Sequence, residues 1–192
     1  MLKNNYREVL LKKISRIKKI TFGMIGFCIA FMIAGLCILF YYSYKTDITA
    51  DYSIYSVLFG LCLFIIVGIL LRSFFKSYNE VINEMNNEDL ETLEKLGESR
   101  SWTEKSLPSF IVYSGKIRVF KLYHQPDFYF TDLTEISIRP NNFTRSRQNQ
   151  LVIFKKSKGG SYFFGIDSNY LQRNHLIDKA IEYNPKIIIK NR

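Results

Sequence analysis

Two long uncharged apolar stretches constrain this chain more than any other feature. Residues 20–44 and residues 52–71 contain no Asp, Glu, Lys or Arg, whereas the sequence outside them is strongly polar. A hydrocarbon layer about 30 Å thick is crossed by roughly 20 apolar residues in a helix. We therefore assign residues 20–75 to two transmembrane helices joined by a short external loop. A cleavable signal peptide is the alternative for the first stretch, which is longer than such a peptide needs and lacks a clear cleavage site.

The positions of the basic residues predict how these helices are oriented. The loop at residues 43–53 contains Lys45 as its only basic residue, whereas Arg72 and Lys76 directly follow the second stretch. Seven basic residues precede the first stretch: Lys3, Arg7, Lys12, Lys13, Arg16, Lys18 and Lys19. Cytoplasmic flanks retain positive charge. We therefore expect a multi-pass protein of the cell membrane with both termini in the cytoplasm.

Small residues recur along one face of the first apolar stretch. Gly26, Ala30 and Ala34 lie four residues apart, and small residues at such spacing allow helices to pack closely. One interpretation is that they seat the second helix at Gly60 and Gly68, and the other is that they form a homodimer contact. The first is favoured, because an intramolecular partner is already present at high effective concentration. Neither stretch contains a charged residue, which argues against transport.

The segment at residues 1–19 has the pattern of a basic amphipathic helix. Tyr6, Leu10, Ile14 and Ile17 recur at helical spacing, and Lys and Arg occupy the other faces. This pattern predicts a juxtamembrane helix lying in the membrane interface. Its function is either to bind anionic lipid or only to set the topology.

Residues 76–98 form an acidic segment that predicts a helical connector. We expect a break near Asn87, because Asn86 and Asn87 can cap a second helical piece that Gly97 ends. The segment contains seven acidic residues: Glu80, Glu84, Glu88, Asp89, Glu91, Glu94 and Glu98. They either contact the basic domain that follows, hold it off the anionic membrane surface, or are only solvated.

Residues 99–192 predict a small cytoplasmic β domain, because apolar residues alternate there with a period of two. One hairpin turns at Ser114 and Gly115, and a second turns at Gly159 and Gly160. Six strands are expected, at residues 110–113, 117–122, 128–130, 133–138, 151–154 and 162–166. A helix capped by Asp167 or Ser168 follows, and a short tail remains after Pro185. The predicted fold is α+β, with a small antiparallel β-barrel or sandwich and a C-terminal capping helix.

This strand order, the run FYFTDLTEISI, the sequence GIDSNYL before the helix and the two-helix anchor resemble the bacterial pleckstrin-homology-like domains of small membrane proteins. The resemblance covers residues 99–185. It implies a partly open barrel or sandwich used for binding and positioning more than for catalysis. The turn at Ser114 and Gly115 is much tighter than the basic loop of phosphoinositide-binding relatives, which argues against recognition of inositol lipids.

Basic residues in two loops are the candidate binding residues. Residues 99–192 contain sixteen Lys or Arg and seven Asp or Glu. The candidates are Arg139, Arg145 and Arg147 in one loop and Lys155, Lys156 and Lys158 around another. Such clusters contact lipid phosphates or an acidic protein partner, or they only keep the domain soluble. Nucleic acid is not expected as a partner of a membrane-tethered domain.

Residues able to hold a metal or to catalyse a reaction are scarce. Cys28, Cys37 and Cys62 all lie in the apolar stretches, and His124 and His175 are the only histidines. Neither a zinc nor a haem ligand set can be assembled outside those stretches. We therefore expect no cofactor, no metal site and no enzymatic activity.

The function expected from these features is that of a membrane-anchored, non-enzymatic binding or regulatory module at the cytoplasmic face of the inner membrane. Its expected partners are membrane lipids and a protein of unknown identity. The alternative is an immunity-type protein that neutralises a toxin, or a small accessory subunit of a membrane complex. The abundance of Lys, Asn and Ile is typical of an AT-rich bacterial genome.

Overall fold

The computed structural model describes residues 5–46, 51–98, 107–141, 150–166 and 169–191 as an α+β structure. The first part consists of three helices: α1 (Asn5–Thr46), α2 (Asp51–Glu84) and α3 (Asn87–Glu98). Both α1 and α2 are long enough and apolar enough to cross a membrane. They pack side by side and run antiparallel, because Phe22 meets Phe75 near one end while Met32 faces Gly60 further along.

The basic N-terminal segment is the beginning of α1, continuous with the apolar stretch. Its apolar side packs inside the protein, where Leu10 and Ile14 are buried together with residues of α2 and α3. This corrects the expectation of a separate helix in the membrane interface. The helical spacing of these residues was read correctly, but their partner is protein.

The acidic connector forms the end of α2 and all of α3. The break falls between Glu84 and Asn87, where the Asn86 side chain accepts a hydrogen bond from the Asp89 backbone N–H at 2.7 Å. Helix α3 then runs alongside the beginning of α1, because Arg7 donates to the Met85 carbonyl and Lys13 pairs with Glu94. The connector therefore folds back on the chain. We call residues 5–19, residues 73–84 and α3 together the stalk.

The second part contains two open sheets. The first sheet is antiparallel, with the order β1 (Phe110–Tyr113), β2 (Lys116–Val119) and β3 (Asp127–Tyr129). The second has the order β6-β5-β4-β7, made by β4 (Leu133–Pro140), β5 (Gln150–Lys156), β6 (Ser161–Ile166) and β7 (Ile188–Asn191). No closed barrel forms among the described residues.

Strand β7 was not expected, since the sequence after Pro185 reads as a short tail. It pairs in parallel with β4, so that Glu135 lies beside Ile188. Helix α4 (Tyr170–Tyr183) connects β6 to β7. Its first turn is capped by Asn169, which accepts from the Leu171 N–H at 2.9 Å, whereas the predicted caps Asp167 and Ser168 lie outside the described residues.

Two hydrophobic cores meet at β1. The first core fills the space between the two sheets and α4, and the second joins the first sheet to the stalk. All four residues of β1 are buried, with Phe110 and Val112 in the first core and Ile111 and Tyr113 in the second. The strand therefore reads as an unbroken apolar run, as is typical of strands covered on both faces.

Candidate functional site

The junction between α2 and the first sheet fixes where the domain lies. The rings of Tyr78 and Phe120 stack with centroids 3.8 Å apart, and Phe74 meets Phe120 edge-on at 6.0 Å. The Tyr78 hydroxyl donates a hydrogen bond to the Pro108 carbonyl. The three aromatic side chains belong to the buried or partly buried second core, so the domain is held against the side of α2.

Strand β2 runs antiparallel to α2. Lys116 Nζ lies 3.2 Å from a Glu84 carboxylate oxygen, at the end of α2. Arg118 Nη1 lies 3.3 Å from Ser77 Oγ, and the next residue on that side, Phe120, reaches Phe74. Successive residues of β2 thus approach the apolar stretch. We call the end of the domain near Phe120 the proximal end and the end near Gly115 the distal end.

A tight turn follows β2 at the proximal end. Lys121 and His124 exchange two backbone hydrogen bonds of 3.2 Å, which leaves Leu122 and Tyr123 at the tip. We call residues 121–124 the proximal turn. The Tyr123 side chain is 73% exposed, and Leu122 is also exposed.

An aromatic side chain of β6 adjoins this turn. Lys121 Nζ donates to the Phe163 carbonyl at 3.0 Å and lies 5.4 Å from the centroid of the exposed Phe163 ring. The same ammonium group lies 4.6 Å from the Tyr162 ring centroid. This turn is not among the candidate sites predicted from the sequence. Turns between strands usually consist of polar residues or glycine. The adjacent Leu122 and Tyr123 depart from that pattern, and this departure was the signal in the sequence that could have marked the turn.

A cleft of about 190 Å³ opens between the edges of β1 and β6, next to the proximal turn. Its lining residues are Ser109, Val119, Phe120, Lys121, Phe164 and Gly165. Pockets that bind small molecules usually enclose about 300 to 1,000 Å³ and combine apolar walls with several polar groups. This cleft is smaller and has one charged lining residue, Lys121, so it does not resemble such a pocket.

The three candidate lysines lie around the end of β5 and the turn that follows it. Lys155 and Lys190 both bind a Glu135 carboxylate oxygen, at 3.2 and 2.9 Å. The hydrogen bond from Lys190, aided by the one from Lys155, lowers the pKa of Glu135 below its ordinary value. Lys156 Nζ lies 4.9 Å from the Phe128 ring centroid, and Lys158 is exposed on the turn. Two of the three lysines therefore have contacts within the domain.

Backbone contacts place this lysine turn at the distal end of the domain. The Ser157 N–H donates to the Asp132 carbonyl at 2.8 Å. Two residues before Asp132, the Phe130 N–H donates to the carbonyl of Gly115 at 3.2 Å. Gly115 precedes Lys116, which pairs with Glu84. The lysine turn is thus on the side of the domain away from the apolar stretches.

Of the candidate arginines, the structure describes Arg139, which lies at the opposite end of the second sheet. Arg139 is exposed near the end of β4, where it pairs with Leu151 at the beginning of β5, and its Nε lies 3.3 Å from Ser137 Oγ. Arg145 and Arg147 lie outside the described residues. The length of β5 separates Arg139 from the lysines, so the structure does not bring these described basic residues into one site.

The small residues of α1 do not face α2. Gly26, Ala30 and Ala34 are all exposed, so this stripe does not form the helix seam that was the favoured interpretation. Gly60 does lie in the seam, because a Cβ atom there would collide with the Met32 side chain. A Cβ at Gly68 would meet no atom within 4 Å, so Gly68 is not a close contact.

Asp89 connects the stalk to the turn at Ser114 and Gly115, which we call the distal turn. Its carboxylate accepts hydrogen bonds from the backbone N–H groups of Ser114 and Asn86, and burial raises its pKa above the ordinary value. The Asn86 bond completes a reciprocal cap at the beginning of α3. This geometry gives Asp89 a structural role.

Among the described residues, no group of three His, Cys, Asp or Glu side chains is placed to hold a metal ion. Comparison with protein-family models, curated proteins and solved structures gives no match to this chain.

Proposed function

We propose that the protein is a membrane-anchored, non-enzymatic binding or regulatory module that acts at the cytoplasmic face of the cell membrane. The observation that carries this proposal is the exposure of the two apolar helices. Of the 18 most apolar consecutive residues in each helix, only 6% in α1 and 0% in α2 are buried. The core helix of a water-soluble protein buries most of such a window. Exposed apolar surface of this extent needs a lipid environment, and both helices are long enough to cross one.

Charge supports an arrangement with the stalk and the domain in the cytoplasm. Arg72, Lys76 and the basic residues at the beginning of α1 lie at the stalk end of the two helices, whereas residues 43–53 at the other end contain one basic residue, Lys45. The other end carries Tyr41, Tyr42 and Tyr44, which are exposed and suit the headgroup layer. Basic residues close to a span are retained in the cytoplasm. Both termini are therefore assigned to the cytoplasm in this proposal.

A binding role for the domain is supported by how it is held. Its first sheet is packed against the stalk, and its two sheets form an open sandwich covered by α4. Membership of the pleckstrin-homology-like group is part of the proposal. Such a domain presents loops and strand edges to partners from a fixed position near the membrane.

The topology is tested by cysteine labelling in intact cells. The native Cys28, Cys37 and Cys62 are replaced by Ala, and single cysteines are then introduced as Tyr44→Cys and Lys158→Cys, both at exposed positions. A membrane-impermeant maleimide should label Y44C in intact cells and K158C only after lysis. Labelling of K158C in intact cells would overturn the cytoplasmic assignment. Release of the protein from membranes by alkaline carbonate would overturn the anchor itself.

The binding role is tested by purifying the full chain from its native membrane in mild detergent and identifying what accompanies it in equal amounts. A protein that is retained by the full chain and lost from the Arg145→Glu, Arg147→Glu variant would support recognition through the basic loop. The control is Lys186→Glu, at an exposed lysine between α4 and β7 that is not among the candidate binding residues. Turnover of a substrate by the purified chain would contradict a non-enzymatic role.

A further inference from the structure

The proximal turn combines exposed apolar side chains with a position beside the apolar part of α2. Leu122 is 38% exposed, Tyr123 is 73% exposed and the neighbouring Phe163 is 62% exposed. Other large apolar residues near this end of the domain, such as Phe120 and Phe164, are buried. The fold therefore covers the apolar residues around the turn but leaves its tip uncovered.

The height of the turn along α2 follows from the contacts of β2. Lys116 lies beside Glu84, Arg118 beside Ser77 and Phe120 beside Phe74. Two strand residues advance about 6.6 Å, which corresponds to a little over four residues of helix. Continuing the series by two residues brings Leu122 level with the part of α2 around Leu70, at the end of the apolar stretch. Arg72 is the first charged residue after the apolar stretch.

Charges near the height of the tip, at the stalk end of the apolar stretch, favour an anionic surface. Arg72 and Lys76 on α2 are exposed, and Lys121 lies at the base of the turn. Glu80 is the first acidic residue of α2 after the apolar stretch. It pairs with Lys76 at 3.8 Å and lies further from that stretch than Arg72 and Lys76 do. Asp127, which follows the turn, is paired with Arg118. Basic residues close to an anionic membrane surface are attracted to it.

We propose that the Leu122–Tyr123 tip, together with Phe163, inserts into the headgroup layer of the same membrane that α1 and α2 cross. This inference rests on the proposed function. Leucine and aromatic side chains partition into the interface, and tyrosine prefers the headgroup level because its ring is apolar and its hydroxyl is polar. The domain is then held to the bilayer at two places, the stalk and the tip. The lysine turn at the distal end projects away from the lipid.

The test uses single tryptophans in the full chain, reconstituted in nanodiscs that contain anionic lipid. Trp102 is the only native tryptophan and is replaced by Phe. Reporters are introduced as Tyr123→Trp at the tip and Phe31→Trp in the apolar part of α1. The matched control is Tyr129→Trp, which is exposed beside Lys116 at the distal end. Emission is recorded with lipids brominated near the headgroup and with lipids brominated near the chain terminus.

We expect Y123W to show blue-shifted emission and strong loss of intensity with the shallow bromines, and little loss with the deep ones. Y129W should lose no intensity with either lipid, and F31W should be quenched by the deep bromines. Leu122→Trp is a second tip reporter and should behave as Y123W does, which protects the test against misfolding of one variant.

Quenching of F31W without quenching of Y123W and L122W would overturn the insertion of the tip and leave the anchor in place. That result is also expected if a protein partner, rather than lipid, covers the tip in the cell. Equal quenching of Y123W and Y129W would overturn the specific role of the proximal turn. Absence of quenching at all positions, F31W included, would overturn the membrane anchor and with it this inference.

Discussion

The aromatic rings of Tyr78 and Phe120 stack across the junction between α2 and the first sheet, with their centroids 3.8 Å apart and their planes 26° from parallel. Tyr78 also donates its hydroxyl hydrogen to the Pro108 carbonyl. One side chain of α2 therefore holds two separate points of the domain. Both contacts are buried, so each contributes to the stability of the attachment.

Replacing Tyr78 by Phe keeps the ring stack and removes the hydrogen bond to Pro108. The buried carbonyl then lacks that donor, which lowers the free energy of unfolding by about 1–2 kcal/mol. Thermal unfolding of the full chain in detergent measures the change. Tyr170→Phe, at an exposed position of α4, is the control and should leave the midpoint unaltered. Equal midpoints for Y78F and wild type would show that this hydrogen bond contributes nothing.

Replacing Ile14 by Ala leaves a cavity in the second core, because the side chain is only 1% exposed. The expected loss is about 2–4 kcal/mol of the free energy of unfolding. Val9→Ala is the control on the same helix, where exposure limits the loss to about 0.5 kcal/mol. Chemical denaturation followed by near-ultraviolet circular dichroism gives both values. If I14A lost as little stability as V9A, the beginning of α1 would not be part of the second core.

The distal turn offers a stabilising change. Ser114 has a φ angle of 47° and Gly115 one of 76°, so both residues occupy the left-handed region. Asn adopts this region more readily than Ser and is common before Gly in two-residue hairpins. Ser114→Asn should raise the free energy of unfolding by about 0.5–1 kcal/mol. A lower midpoint for S114N in calorimetry would contradict this prediction.

Gly115→Ala should act in the opposite direction. A Cβ at this φ angle is strained, and it would also lie 3.4 Å from the Tyr183 ring. The strain costs about 1–2 kcal/mol. Calorimetry of G115A beside S114N compares the two positions of the same turn. Unchanged stability of G115A would mean that the turn adopts a different conformation in solution.

Glu135 makes part of the domain's stability dependent on pH. Its pKa in the folded protein lies below the ordinary value of 4.5, chiefly because Lys190 and then Lys155 donate to its carboxylate. The charged form is therefore favoured by folding. This contribution is fully present above pH 4.5 and is lost as the pH falls through the lower pKa of the folded state.

Glu135→Gln should consequently lower the unfolding midpoint at neutral pH and leave a smaller difference from wild type in acid. Midpoints measured from pH 7 to pH 3 for both proteins test this convergence. Lys179→Gln, which breaks the pair with Glu182 on α4, is a control for a general effect of charge. A constant difference between E135Q and wild type over the whole range would rule out the titration of Glu135 as its source.

Local signals in the sequence predicted most elements of the fold. The apolar stretches, the helix break beside Asn87 and the hairpin turns at Ser114–Gly115 and Gly159–Gly160 all depend on neighbouring residues, and the structure has each of them. Strand β7 depends on parallel pairing with β4, more than forty residues earlier in the chain. Such pairing leaves no local pattern, so a four-residue strand with two apolar residues, Ile188 and Ile189, reads as a tail after Pro185.

The candidate site was harder to predict, because its position depends on how the stalk packs. The amphipathic pattern of Leu10 and Ile14 shows that one helix face is covered, but it does not distinguish lipid from protein. The unbroken apolar run of β1 indicates a strand that is buried on both faces. One face lies in the first core, and the other packs against the stalk. Without that contact, nothing in the sequence shows that Tyr123 and Lys158 lie at opposite ends of the domain.

Helix α2 runs without a break from Asp51 to Glu84, so the apolar stretch and the support for the first sheet belong to one rigid rod. The junction at Tyr78 and Phe120 lies on this rod itself. A rotation of α2 about its long axis therefore carries the domain around that axis through the same angle. A change in the tilt of α2 likewise displaces the loops of the domain, because there is no hinge between the helix and the domain.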